Sequence, residues 1–177
     1  GIGGIQPRHT HITYQSRLGD CKDIALLLSV FYKKAGFDAR MALIRTTSGG
    51  FPDIDVPYIG NFNHAICYLN YNGGLFLDGT VNHADIYDLP EGDRNTVTAV
   101  INNTGVNFIN TSSNIYSDNR DTIRSEIKLY DNGSAEINRF LEKGGTSALY
   151  FRNRYKSDPI QLENLSVYWN KIYPESL

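Results

Sequence analysis

The 177-residue sequence contains few cysteines and no long apolar run. Two cysteines, Cys21 and Cys67, are too few for a disulfide scaffold in a chain of this size, and their spacing is not that of a CxxC motif. A single disulfide between them remains one alternative. No apolar run approaches the ~20 residues that span a bilayer, and the first residues lack the charged start and apolar stretch of a signal peptide. The sequence therefore predicts no membrane-spanning segment.

A strong excess of either charge is also missing. The 17 Lys and Arg residues and 19 Asp and Glu residues are interspersed and give a net charge of −2. This balance argues against a nucleic-acid partner and against a polybasic membrane patch. Hydrophobic residues make up 41% of the chain, enough for an ordinary globular core. The length fits one medium domain, or one domain with a small appendage.

An amphipathic helix is the best-marked element. Asp20 is placed to cap its N-terminus and Asp23 lies in its first turn, while Gly36 is placed to end it. Apolar residues recur at helical spacing at Ile24, Ala25, Leu27, Leu28, Phe31 and Ala35. The helix is therefore predicted to begin at Asp20, with Cys21 in its first turn.

Alternating and turn-flanked segments predict a largely antiparallel sheet. Strands are predicted over 39–46, 62–71 and 75–80, hairpins over 97–109 and 122–141, and helices over 146–156 and 159–171. Residues 47–60 are predicted to form a long loop and 81–94 a polar connection. The hairpin at 122–141 turns at Asp131-Asn132-Gly133, a sequence that a type I′ turn favours.

Cys21 is a candidate nucleophile because of its place in the helix. Unpaired backbone N–H groups and the positive end of the helix dipole stabilise a thiolate there. The alternative is an inert buried cysteine, and on this feature alone the two interpretations are equally weighted.

His64 and Asp78 complete a candidate Cys–His–Asp site. They lie on two strands predicted to form a hairpin, where a carboxylate can fix the tautomer of an imidazole that faces a thiol. A hairpin centred on Tyr71 would place them directly opposite each other, and this requires a loop with an odd number of residues and Gly73 at positive φ. A two-residue turn at Asn72-Gly73 would instead place them on opposite faces of the sheet.

Cys67 follows His64 by an odd number of positions. Its side chain is therefore predicted to face away from the candidate site and to lie in the core, which disfavours a disulfide with Cys21. His9 and His11 form an HxH pair without accompanying carboxylates or cysteines at ligand spacing, so a polar loop is favoured over a metal site.

A family pattern is present at these same residues. The segments are GDCKD at 19–23, LLL at 26–28, AGFDA at 35–39, FNHAI at 62–66 and LDGT at 77–80. Together they resemble the transglutaminase-like superfamily, and within it the bacterial branch whose core lies between two β-rich domains. The resemblance covers residues 5–110. One departure is Gly79, where the family's aspartate motif commonly has proline.

The resemblance implies a papain-like α+β fold in which a helix N-terminus carrying the cysteine packs on an antiparallel sheet. It also implies a transglutaminase-like core over residues 1–110 that begins inside the family domain. A linker at 111–121 would follow, and then the start of a C-terminal β-rich domain with two helices at 122–177. The implied location is the bacterial periplasm or cell envelope.

The implied activity is attack on protein or peptide amides through a thioester, by a peptidase, transamidase or deamidase. Cys21 would be the nucleophile, His64 the general base and acid, and Asp78 the residue that orients His64. No cofactor and no metal are implied. Gln15 and Tyr14 are candidate side chains for an oxyanion hole beside the backbone N–H of Cys21. The alternative function is a catalytically idle binding module within a larger envelope protein.

Overall fold

The computed structural model describes residues 4–56, 58–112 and 119–156. In these residues the α-helices are α1 Thr10–Ser16, α2 Cys21–Lys34 and α3 Gly145–Tyr155. The strands are β1 Ala39–Ile44, β2 His64–Leu69, β3 Leu75–Leu77, β4 Val97–Asn102, β5 Gly105–Asn110, β6 Asp121–Leu129 and β7 Ala135–Lys143. Short 3-10 turns lie at Thr47–Gly49, Ile59–Asn61 and Glu91–Asp93. The protein is therefore α+β, as the sequence predicts.

The chain forms two compact units, residues 1–113 and 114–177, and the division falls inside the segment predicted as a linker. The first unit contains a five-stranded sheet in the order β3-β2-β1-β4-β5, with every neighbouring pair antiparallel. Helix α2 packs against β1 and β2, and α1 packs against α2. No helix in the described ranges is long and apolar enough to cross a bilayer.

The sheet of the first unit buries apolar side chains in two clusters. The larger cluster contains Ala42, Ile44, Ile66, Tyr68, Phe76, Leu89 and Val100. The smaller one contains Ala39, Cys67, Leu69 and Leu77, packed against Leu28 and Tyr32 of α2. Alternate residues of β2 therefore serve opposite faces of the sheet, as the pleat of a strand requires.

Helix α2 begins at Cys21 because its N-terminus is doubly capped. The Asp20 carboxylate accepts a hydrogen bond from the Asp23 backbone N–H, and the Asp23 carboxylate accepts one from the Asp20 backbone N–H. This reciprocal arrangement is a capping box, with aspartate in the place of the usual Glu or Gln. Arg8 holds the same Asp23 carboxylate through its backbone N–H and its Nε, each at 2.8 Å.

The β2–β3 hairpin has the odd-numbered loop that the candidate site requires, but its register is shifted. Cys67 pairs with Leu77 and Leu69 with Leu75, so the hairpin is centred on Asn72 and not on Tyr71. Three consecutive residues of the turn, Asn72 to Gly74, have positive φ values of 48°, 90° and 109°. The shift preserves the face of every side chain, because moving the centre by one residue moves each partner by two.

Several predicted strand boundaries and one missing helix need correction. β3 ends at Leu77 and not at Thr80, because the Thr80 backbone N–H and hydroxyl donate to the Asp78 carboxylate and turn the chain there. β2 runs from His64 to Leu69 and not over 62–71, and β1 ends at Ile44 and not at Thr46. Helix α1, which has one buried residue and therefore little apolar periodicity, was not predicted.

The second unit contains the predicted β6–β7 hairpin, whose strands are paired over nine residues each. Its turn is not type I′. Tyr130 and Ser134 pair across three residues, and among these only Gly133 has positive φ, at 85°. Helix α3 agrees with the helix predicted over 146–156. The helix predicted over 159–171 lies outside the described residues.

Candidate functional site

Strand directions bring the candidate residues to one end of the first sheet. β1 packs along α2 and ends at Ile44, which pairs with His64, the first residue of β2. β3 runs antiparallel to β2, so Asp78 emerges beside the start of β2. The connection that precedes β4 also arrives here, since Thr98 pairs with Ile44. Four segments that are distant in sequence therefore meet near the N-terminus of α2.

Cys21 occupies the first position of α2 and is partly exposed. The backbone N–H at this helix position has no acceptor within the helix. The Cys21 side chain interacts with His64 and acts to raise the pKa of that imidazole. A thiol at a helix N-terminus beside an imidazole is well placed to attack a carbonyl carbon.

His64 lies between the thiol and a buried carboxylate. Its Nε2 is 3.0 Å from Oδ2 of Asp78, and the Asp78 side chain is only 4% exposed. The second oxygen of Asp78 accepts two hydrogen bonds from Thr80, one from the backbone N–H at 2.8 Å and one from the hydroxyl at 2.7 Å. Because Nε2 faces Asp78, Nδ1 is the ring nitrogen left to exchange a proton with Cys21.

The charges at this site favour an imidazolium. Burial opposes protonation of His64, but the hydrogen bond and charge of Asp78, the charge of Asp93 and the neighbouring Cys21 side chain together raise its pKa to about 9. Burial likewise acts to raise the pKa of Asp78, yet hydrogen bonds from His64 and Thr80 outweigh it and hold that pKa below its ordinary value. The two groups therefore form a charged pair at neutral pH.

A second carboxylate, Asp93, belongs to the site and was not found from the sequence. It lies in the turn Glu91–Asp93, its side chain is 4% exposed, and its Oδ2 is 3.8 Å from Nε2 of His64. Burial, together with the neighbouring Asp78 carboxylate, raises the pKa of Asp93 to about 7, against the opposing charges of His64 and Arg94. Asp93 lies in a polar connection, and nothing in the sequence there indicates that it is buried beside His64.

The ring nitrogen of His64 and one oxygen from each of Asp78 and Asp93 lie within 4.8 Å of one another. A cation could bridge such a spacing. It would require Nε2 as an unprotonated ligand and would break the hydrogen bond to Asp78, so a cation and the proton on Nε2 compete for the same atoms. The negative charge of the Asp93 carboxylate can therefore be balanced either by a bound cation or by a proton.

Cys67 is structural. It is fully buried on the α2 side of the sheet, it forms no disulfide with Cys21, and both thiols are free. Burial raises the pKa of Cys67 to about 12, which makes it a poor nucleophile. The two cysteines therefore differ in their surroundings, since Cys21 is partly exposed at a helix N-terminus and Cys67 is buried in the core.

The oxyanion candidates Tyr14 and Gln15 are consecutive residues of α1. The ring of Tyr14 packs edge-on against Phe31, ten residues beyond Cys21 along α2 and so about 15 Å away along the helix axis. Both residues are exposed and line one groove, which also includes Gly19, two residues before Cys21. Their part in an oxyanion hole stays a prediction.

The structure explains why position 79 is a glycine. A Cβ atom there would lie 2.6 Å from Cγ2 of Ile24 and 2.6 Å from Cδ1 of Leu28. The segment that carries Asp78 thus approaches α2 too closely for a side chain. This contact fixes the carboxylate relative to the helix that carries Cys21.

Comparisons with family models, with curated proteins and with solved structures gave no match for this chain.

Proposed function

We propose that this protein is a cysteine-nucleophile hydrolase or acyltransferase that acts on protein or peptide amides. The observation that carries the proposal is the arrangement of Cys21, His64 and Asp78, with a thiol at a helix N-terminus, an imidazole that interacts with it, and a buried carboxylate 3.0 Å from the imidazole. These are the parts that acyl transfer through a thioester requires.

In the proposed reaction the Cys21 thiolate attacks the carbonyl carbon of the amide and forms the C–S bond. The backbone N–H of Cys21 is oriented to stabilise the oxyanion. The imidazolium of His64 then gives its proton to the amide nitrogen as the C–N bond breaks, which releases an amine and leaves a thioester. Asp78 keeps the ring in place during both proton transfers.

The second half of the reaction decides the product. Water attacking the thioester gives hydrolysis, and an amine gives transamidation. In both cases His64 takes the proton from the incoming nucleophile, and breakage of the C–S bond releases the Cys21 thiolate, which restores the starting thiolate and imidazolium. A transglutaminase-like, papain-like core and a location in the bacterial cell envelope belong to the same proposal and rest on the sequence resemblance.

The test is the rate of iodoacetamide labelling of Cys21 against pH, with the labelled peptide identified by mass spectrometry. At pH 6 we expect the unsubstituted chain to label at least about tenfold faster than His64→Ala, because a free thiol is almost fully protonated there. Cys67 is an internal control that should remain unlabelled in the folded protein. His11→Ala removes an exposed histidine of α1 and should leave the rate unchanged.

A Cys21 that labels only above about pH 8 and ignores His64 would contradict the proposal. That result would favour the alternative function, a binding module that has the fold without an activated thiol. If labelling is fast and depends on His64, profiling with peptide amides, in the presence and absence of a primary amine, then separates hydrolysis from transamidation.

A further inference from the structure

The buried Oδ2 atom of Asp93 takes no part in the proposed reaction. Among the described residues no hydrogen-bond donor reaches its Oδ2, although that atom is inaccessible to solvent. A buried ionised carboxylate without donors is strongly disfavoured. Nε2 of His64, at 3.8 Å, is beyond hydrogen-bonding distance and is already directed at Asp78. Something other than a neighbouring donor must therefore stabilise this carboxyl group.

The Asp78 carboxylate is the neighbour that can do so. One carboxylate oxygen of Asp78 and one of Asp93 lie within 4.8 Å of each other. Both are acceptors when ionised, so a hydrogen bond between them exists only when one holds a proton. Asp78 receives three donors, one from His64 and two from Thr80, and is therefore the group that remains ionised. The proton belongs on Asp93.

We propose that Asp93 is a positioning residue for the catalytic pair, whose protonated carboxyl group donates a hydrogen bond to Asp78 and whose ionisation places a second negative charge behind His64. This inference rests on the proposed function. In the protonated form Asp93 supplies Asp78 with a further donor and adds no charge. In the ionised form it attracts the imidazolium from 3.8 Å, which stabilises the thiolate–imidazolium pair.

The charged groups that face Asp93 influence the pH at which its carboxyl group ionises. Asp78 opposes its ionisation, while His64 and Arg94 favour it. Arg94 is itself buried and donates through Nε to the backbone carbonyl of Leu89. Burial and these charges place the ionisation near pH 7, between the ionisations of Asp78 and His64.

The direct test is an NMR titration of the His64 imidazole in full-length Cys21→Ala, where no thiol titrates beside it. His64→Ala identifies its signal among the four histidines. We expect a main transition at high pH and a smaller inflection near pH 7. In Cys21→Ala with Asp93→Asn the inflection should be absent and the His64 midpoint should fall by about one pH unit, because a nearby negative charge is lost.

Glu91→Gln is the matched control, since Glu91 is an exposed acid in the same turn. It should leave both features of the titration in place. An inflection that persists in Asp93→Asn, or a His64 midpoint that does not move, would overturn the inference. If the inflection disappears from the Cys21→Ala chain when EDTA is added, a bound cation and not a proton neutralises the carboxyl group, and the inference is also wrong.

The labelling rate of Cys21 gives a second measurement that separates positioning from a purely structural role. Asp93→Asn supplies an N–H donor to Asp78 and cannot ionise, so its pH profile should lack the step near pH 7. Asp93→Ala supplies no donor, so its rate at pH 6 should lie about threefold or more below that of Asp93→Asn. Equal rates at pH 6 in the two variants would contradict a hydrogen bond to Asp78.

These experiments distinguish failure of the inference from failure of the proposed function. If His64→Ala labels like the unsubstituted chain, the proposed function is wrong, and the NMR titration still reports on Asp93. If labelling depends on His64 but neither profile responds to Asp93→Asn, the function stands and the inference fails.

Discussion

Asp78 and Asp93 are chemically identical side chains whose surroundings shift their pKa values in opposite directions. Both are buried, and burial alone would raise the pKa of each. Asp78 has three hydrogen-bond donors, whereas no described donor reaches Oδ2 of Asp93. The number of donors therefore decides which carboxylate is ionised, and a pair separated in this way is a common feature of catalytic sites.

The first prediction concerns the stability that His64 contributes. Its pKa is about 9 in the folded protein and 6.5 in the unfolded chain. A raised pKa means that protonation favours the folded state. The contribution is complete below pH 6.5 and is lost as the pH rises to 9, and a shift of this size corresponds to about 3 kcal/mol.

The measurement is urea unfolding of the unsubstituted chain and of His64→Gln between pH 6 and pH 9.5, followed by circular dichroism. The difference in the free energy of unfolding between the two proteins should shrink as the pH rises. His11→Gln changes an exposed histidine and should give a curve parallel to that of the unsubstituted chain. A constant difference between the unsubstituted chain and His64→Gln would show that the charged pair adds no stability.

At the scale of elements, the segment after β3 lies close against α2 at Gly79. The second prediction is that Gly79→Ala costs about 1–3 kcal/mol, because its Cβ would lie 2.6 Å from side-chain atoms of Ile24 and Leu28. Relief of that clash must move the segment that carries Asp78. The rate of Cys21 labelling at pH 6 should therefore fall as well.

Gly92→Ala is the matched control for this change. A Cβ at Gly92 would meet Cβ of Thr46 at 3.9 Å, an ordinary contact, although Gly92 precedes Asp93. It should change the free energy of unfolding by no more than about 0.5 kcal/mol. If the two glycine variants have the same stability and the same labelling rate, the close approach at Gly79 does not position Asp78.

The elements show which parts of the site a sequence can predict. Helix α2 was predictable because its cap and its apolar spacing are local signals, and these place Cys21 correctly. The glycines of the β2–β3 loop allowed an odd number of residues but did not decide between that loop and a two-residue turn. The register was not predictable either, because Asn72 joins Gly73 and Gly74 at positive φ and moves the centre by one position.

Asp93 required the order of the strands. It reaches the site because the connection after β3 crosses to β4, on the far side of β1. The sequence of residues 81–94 does not indicate which edge of the sheet the next strand will occupy. It also does not indicate that an aspartate within it will be buried. α1 was missed for a related reason, because Thr13 is its one buried residue and apolar spacing is weak.

At the scale of the whole molecule, the catalytic proposal concerns one of the two compact units. Cys21, His64, Asp78 and Asp93 all lie in the unit of residues 1–113, and the five-stranded sheet that supports them ends with β5 at Asn110. Strands β6 and β7 pair only with each other among the described strands. The sheet and the helices that hold the site are therefore assembled from the first unit alone.

The third prediction follows from this division. A chain of residues 1–112 should fold and should label Cys21 at the rate of the full chain, because the described hydrogen bonds and close packing of the site join residues before β5. A matched fragment with His64→Ala should lose the rapid labelling at pH 6, as the full-length variant does. A folded fragment that labels slowly would mean that the second unit contributes to the site. A fragment that does not fold would mean that the first unit depends on the second for its stability, and either result would change the assignment of the site to residues 1–112.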